Sequence, residues 1–262
     1  LKSLREKQLN LLENPNFGDQ SQHKTIDKAL SISIEYLAES EFGDAARPAY
    51  YDLVIFRNGA QIPLWVIRQL FKDTFKESAS IDDLLSLWQK RSIAYYQKEC
   101  VSLHDLFFDL LQGKIDDKAS RHDRFLSVYE PESGKWHQIE DPYFIRNAAH
   151  HFIGAGRIEE YMALQFDLDW LTTKLLETGS QGILDDLETL ISKCVTAHEK
   201  TSFGDELRVL SDIIRLCDPA LRGDTDKSNT KSQLGIQLIA RLYGKFGPRI
   251  TKLRDAAHIR LT

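Results

Sequence analysis

The sequence has little methionine: Met162 is its single copy and Leu1 stands first, so the chain is expected to be a fragment whose initiator lies outside it. Cysteine is scarce as well. Cys100, Cys194 and Cys217 are odd in number, far apart and in no C-x-x-C pair, which excludes a disulfide framework and a zinc ribbon and leaves buried, reduced thiols. No apolar run approaches the roughly 20 residues that a membrane span needs, and no basic-then-apolar leader opens the chain, so a cytoplasmic protein without a membrane partner is expected. A phosphate-binding loop is missing too, because Gly134-Lys135 is followed by Trp136 rather than Ser or Thr. Nothing in the chain is expected to hold a triphosphate or to catalyse a reaction on its own.

What is present is the composition of a folded protein: 42% hydrophobic and 28% charged residues over 262 positions are enough to bury one or two cores. The net charge of -5 speaks against a partner defined by phosphate charge. The expected fold class is mainly α. It begins with residues 1–22, the end of a preceding helical domain and a linker: a helix over Leu1–Leu12, then a break over Asn14–Gln22. Residues 23–113 follow as a winged-helix domain. Ile26, Leu30, Ile34 and Leu37 recur at helical spacing. Ala46-Arg47-Pro48 opens a second helix, and Pro63 starts a third whose buried face is Leu64, Ile67, Leu70 and Phe71. Ser80, with Asp82 and Asp83 behind it, reads as the N-cap of a fourth. Ser92–Gln97 and Cys100–Leu103, rich in Tyr, Val and Ile, read as a hairpin wing, and a helix from near Asp105 to Gly113 closes the module.

Residues 114–262 are expected to be an all-α arm of helical hairpins. Asp141-Pro142 starts the first helix, Gly154 and Gly156 stop it, and Ile158–Phe166 is its antiparallel partner. Asp169 begins another that ends at Gly179. Ile183–Val195, Leu207–Cys217 and Leu234–Tyr243 complete the series, and no strict repeat period is visible. Candidate chemistry in this half is thin. Gly154-Ala155-Gly156 follows a helix and serves as a stop rather than a dinucleotide loop. His150 and His151 are adjacent and hence about 100° apart on a helix, which does not suit one metal. Asp167-Leu168-Asp169 lacks the glycine and glutamate of a calcium loop and suits a cap. Asp185-Asp186 and Asp82-Asp83 each read as acidic first turns. DNA binding is disfavoured because Asp82 and Asp83 would lead the recognition helix, and Lys24–Gln112 carries ten basic against thirteen acidic residues, a net of -3.

Several segments together resemble a known family. Ala29-Leu30-Ser31-Ile32-Ser33-Ile34-Glu35-Tyr36-Leu37, Tyr51-Asp52-Leu53 and Leu103-His104-Asp105-Leu106 resemble the winged-helix domain of NB-ARC (STAND) NTPases of the apoptotic branch. Tyr143-Phe144 with His150-His151, Phe166-Asp167-Leu168-Asp169-Trp170, and Lys174 through Gly179 resemble the second helical domain of the same proteins. The resemblance runs over most of residues 1–180. It implies a regulatory module of a signalling switch: ADP or ATP is held by a nucleotide-binding domain of the same polypeptide, outside this chain, and the winged helix contacts it. His104 takes the place of the family's motif histidine, with Leu103 where methionine is common, and Ser92 matches a second nucleotide contact. It further implies release and homo-oligomerisation after nucleotide exchange, and a C-terminal sensor, commonly a WD-repeat propeller, to which Pro248–Thr262 leads. Two other readings stay open: a free-standing helical scaffold for a partner protein, and a winged-helix DNA-binding regulator. On residues alone, His104 equally ties the wing to the next helix while Asp105 caps it.

Overall fold

The protein was analysed as a computed structural model that describes residues 28, 30–75, 78–196, 202–221, 227–242 and 246–259. The expected helix Leu1–Leu12, the break Asn14–Gln22, Ile26, and Tyr243 at the expected end of a helix lie outside the described residues. The fold class is the expected one, mainly α with a small β wing, and the chain divides into two compact units between Arg121 and His122. No helix among the described residues is long and apolar enough to cross a membrane.

In the first unit α1 (30–35) buries Ile34, and the turns after it bury Leu37. α2 (Ala46–Asp52) continues as a 3-10 turn over Leu53–Ile55. Next come β1 (Ile62–Pro63), α3 (Leu64–Phe71), α4 (Ser78–Lys90), β2 (Ala94–Gln97), β3 (Cys100–Leu103) and α5 (Asp105–Lys114). The core is aromatic: Tyr50 meets Trp88 edge-on at 5.5 Å and Phe107 at 6.4 Å, and Phe71 meets Trp88 at 6.4 Å. Such rings remove about 150–250 Å² each from water and prefer edge-to-face contact. The buried Tyr50 hydroxyl donates to the Ile93 carbonyl at 2.7 Å, which ties α2 to the start of the hairpin. The buried Asp52 carboxylate is matched by Arg121, whose Nη1 lies 2.5 Å from Oδ1.

Several expectations in this unit are corrected. Ile62 and Pro63 form a third strand, antiparallel to β3 in the order β1-β3-β2, rather than the first turn of a helix. Proline is tolerated because β1 is an edge strand, and it is also the residue before α3. Ser80 lies inside α4, which starts at Ser78, so it is no N-cap, and Asp82 and Asp83 fall beyond the first turn. Ser92 precedes the strand instead of starting it, and α5 runs one residue past Gly113. Gly113 needs no left-handed conformation there, since Ile115 caps the helix by donating to Leu111.

The boundary between units falls within α6 (Lys118–Tyr129), an element absent from the sequence reading. After it the second unit contains a 3-10 turn at Trp136–Gln138, then α7 (Pro142–Gly154), α8 (Ile158–Leu164), α9 (Leu168–Thr196), α10 (Ser202–Leu221), α11 (Lys227–Arg241) and α12 (Pro248–Ile259). Asp141 caps α7 as expected, accepting from the Tyr143 and Phe144 amides, with Pro142 in the first turn. A stacked aromatic column, Trp136 on Phe144 at 5.5 Å and Phe144 on Tyr129 at 4.9 Å, packs α6 and the turn onto α7. α9 is capped by Asp167, not begun by Asp169, and its first helical segment ends at Gly179 as expected. It bends there and continues, because Gly179 supplies φ 68° and helix resumes after it. Asp185 and Asp186 are therefore mid-helix residues beyond the bend, and Asp186 is buried rather than part of a solvated first turn.

Candidate functional site

The two residues singled out for nucleotide contact bracket the β2-β3 hairpin. Ala94 pairs with Leu103, so Ser92 lies two residues before the first pair and His104 one residue after it. Both are exposed at the base of the wing. Lys98 and Glu99 close the other end with φ of 51° and 59°, the left-handed pair that a two-residue hairpin of this twist requires.

His104 is the N-cap of α5, and the cap fixes its chemistry. Its Nδ1 accepts from the Leu106 amide at 3.2 Å, so the neutral ring carries its proton on Nε2 and offers a donor to solvent. Asp105, expected as the cap, instead sits in the first turn with its carboxylate exposed. Tyr95, half-exposed on the outer face of β2, places its ring 6.3 Å from that of His104 and was not anticipated from the sequence. The alternation of buried Ala94 with exposed Tyr95 was the available signal.

Ser92 ends α4 in a strained manner. Its amide donates to the Gln89 carbonyl at 2.9 Å, and the Ile93 amide reaches back to Trp88 at 3.1 Å. That is the Schellman arrangement, with Ser92 at the position glycine usually fills, and φ is 55°. This left-handed residue is exposed beside the wing.

Elsewhere the candidates resolve into structure. Asp82 of α4 pairs with Arg68 of α3 at 3.0 Å, which neutralises a basic residue beside the helix that would read DNA. Asp167 Oδ1 accepts from the Asp169 and Trp170 amides at 2.8 and 3.2 Å, the capping role expected of this segment. His137, Asp167 and Asp169 do bring ligand atoms within 4.8 Å of one another. Lys231 places its ammonium on Asp169, and His137 Nδ1 lies 3.4 Å from Asp167 Oδ2. His150 and His151 both approach a third histidine that the sequence reading passed over. Their rings lie 5.1 and 5.2 Å from His122, and the two Nδ1 atoms of His122 and His151 are 3.2 Å apart. One of those two nitrogens must donate to the other. Burial and the neighbouring His150 pull the His122 pKa down to about 4, so the His122 ring is held neutral.

A second buried set joins α8 to both halves of α9. Tyr161 donates to Asp186 at 2.6 Å and Lys174 Nζ sits 2.7 Å from the same carboxylate oxygen. Burial first and then the Asp186 carboxylate raise the Tyr161 pKa well above its ordinary value, so the phenol stays a donor.

Comparison with known proteins bears on this second unit most directly. A family model described as the APAF-1 helical domain matches residues 120–215, from α6 into α10. The mouse protein apoptotic protease-activating factor 1 is 27% identical over 195 residues, which is 71% of this chain and 15% of the relative. Residues 120–215 are thus similar to the APAF-1 helical domain. The chain spans about 15% of the length of that curated relative. The matched region extends past the segments that carried the resemblance, since Ile183–Arg215 is within it although no motif there suggested it. Its core is the Trp136-Phe144-Tyr129 column, the capped starts of α7 and α9, and the Tyr161-Asp186-Lys174 set.

Proposed function

We propose that the chain is the regulatory and structural module of an apoptotic-factor-like signalling NTPase of the cytoplasm. In this reading a nucleotide-binding domain elsewhere in the same polypeptide holds ADP, and the wing base closes on it. His104 donates from Nε2 to a phosphate oxygen and Ser92 adds its hydroxyl, which favours an autoinhibited state. Exchange of the nucleotide removes those contacts, frees the winged helix and permits homo-oligomerisation. The helical domain transmits the change to a C-terminal sensor such as a WD-repeat propeller. Neither nucleic acid nor membrane takes part.

The observation that carries the reading is the fixed tautomer of His104. A capping imidazole whose Nδ1 is already occupied leaves an exposed N–H donor, at the position where the family resemblance implies a phosphate contact. The second supporting fact is the likeness to a protein whose name is apoptotic protease-activating factor. The test is ADP retention in the full-length protein that contains this chain. His104→Ala is expected to lower retained ADP about tenfold, the effect of losing one hydrogen bond to a charged group of about 1.5 kcal/mol. Retention equal to that of the parent would leave the APAF-1-type domain as a helical scaffold without a nucleotide contact here.

A further inference from the structure

α9 bends at Gly179, whose φ of 68° and ψ of -179° lie in a region that essentially only glycine occupies. A Cβ on Gly182 would collide with Thr178, so the next turn also closes around a glycine. The bend is thus encoded in Thr178-Gly179-Ser180-Gln181-Gly182. In an unbroken helix Lys174 and Asp186 would be about 18 Å apart along the axis. Here Lys174 Nζ lies 2.7 Å from Asp186 Oδ2. The same oxygen accepts from the Tyr161 hydroxyl at 2.6 Å, and Lys174 also donates to the Ile145 carbonyl of α7 at 2.9 Å. Lys174 is 1% exposed, Tyr161 0% and Asp186 8%.

An ion pair this deep is a poor source of stability, since desolvation offsets much of its attraction and apolar replacements are often neutral. Its geometry spans the bend, because Asp186 beyond Gly179 is held by Lys174 before it and by Tyr161 of α8. The segment beyond the bend is not isolated: Ser180 donates to Asp218 and Arg215 pairs with Glu188 at 2.5 Å, so α10 is tied to it.

We propose that Gly179 is a hinge in the helical domain and that Asp186, gripped by Lys174 and Tyr161, is the latch that sets its angle. With the latch intact the two halves of α9 form one rigid body. With it withdrawn, the distal half swings and carries α10. The groups on the near side of the latch come from α7, α8 and the first half of α9, so a force applied to any of them is transmitted to the hinge.

The test is a pulsed electron-resonance distance measurement on the full chain, with nitroxides at the exposed positions Ala163→Cys and Ser192→Cys and with Cys100, Cys194 and Cys217 replaced. Ser192 lies about 20 Å from the hinge along the helix, so a change of about 10° moves it by about 3 Å. The parent is expected to give one narrow distribution. Lys174→Met with Asp186→Leu removes both charges while filling their volume; it is expected to keep a helical, cooperatively unfolding protein yet shift or broaden the distribution by about that amount. A folded double variant whose distribution superimposes on the parent's overturns the latch. If the double variant does not fold, Tyr161→Phe decides, since it deletes one hydrogen bond to Asp186 and leaves the ring in place. A broadened distribution then supports the latch, and an unchanged one overturns it.

Discussion

Ser92 shows how a single residue carries two opposed demands. Its φ of 55° costs a non-glycine residue roughly 1 kcal/mol, and the Schellman turn that requires it needs no hydroxyl. Ser92→Gly should therefore raise the unfolding free energy of the chain by up to about 1 kcal/mol in a denaturant titration. A loss of stability would mean that the hydroxyl is tied into the fold and is not held outward for a ligand. His122 makes a different prediction, on pH. Its pKa falls from 6.5 to about 4 on folding, so between those values the unfolded chain binds a proton that the native chain refuses. Stability from this group is complete above about pH 6.5, declines as pH falls toward about 4, and is flat below that; the whole step is about 3 kcal/mol. His122→Gln should remove that part of the slope, read as the difference between the two proteins' unfolding free energies over the window. Equal slopes would show that His122 titrates in the native state much as it does in the unfolded chain.

Among elements, the packing of α6 on α7 is set by a glycine. A Cβ on Gly154 would fall within 2.5 to 2.6 Å of three atoms of the His122 ring. Alanine in a helix gains up to about 1 kcal/mol over glycine, whereas overpacking a filled site costs about 1–3 kcal/mol. The second effect wins, so Gly154→Ala should lower stability by about 1–2 kcal/mol, and recover it when combined with His122→Ala. Additive losses in the double variant would place the cost elsewhere. The same element marks the limit of what the sequence reveals. α6 was missed although His122, Phe125, Leu126 and Tyr129 recur at helical spacing, because the charges of Asp123, Arg124 and Glu130 interrupt the apolar pattern. β1 was not legible, because two residues have no periodicity and their partner in β3 is distant in sequence. Capping was read well at Asp141, where one residue acts on its own neighbours, and poorly at Ser80, where the helix begins two residues earlier. Tyr161 and Lys174 could not be paired with Asp186 from spacing alone, because the bend that joins them depends on a glycine conformation that local pattern reads as a helix end.

At the scale of the whole molecule, the wing base and the helical domain present unequal evidence about ligands. The wing offers one imidazole N–H donor, one serine hydroxyl and a neighbouring tyrosine ring, all exposed, with the Asp105 carboxylate close in sequence. Hydrogen bonds of this kind are worth about 1 kcal/mol each in water, and a diphosphate competes for them with its own hydration. Two of them amount to a dissociation constant no tighter than about 1 mM once the cost of association is included. This chain on its own should therefore respond weakly to ADP. At 1 mM nucleotide the unfolding free energy is expected to rise by no more than about 0.4 kcal/mol, the linkage value for a ligand at its own dissociation constant. On the proposed function, the polypeptide that also contains a nucleotide-binding domain should retain ADP through purification, with the cradle supplying the affinity and His104 biasing the conformation. A stabilisation of the isolated chain by about 2.7 kcal/mol, the value for a hundredfold excess over the dissociation constant, would show that it holds the nucleotide unaided. The site would then lie somewhere other than the exposed wing base, and the division of labour between cradle and switch proposed for this module would fail.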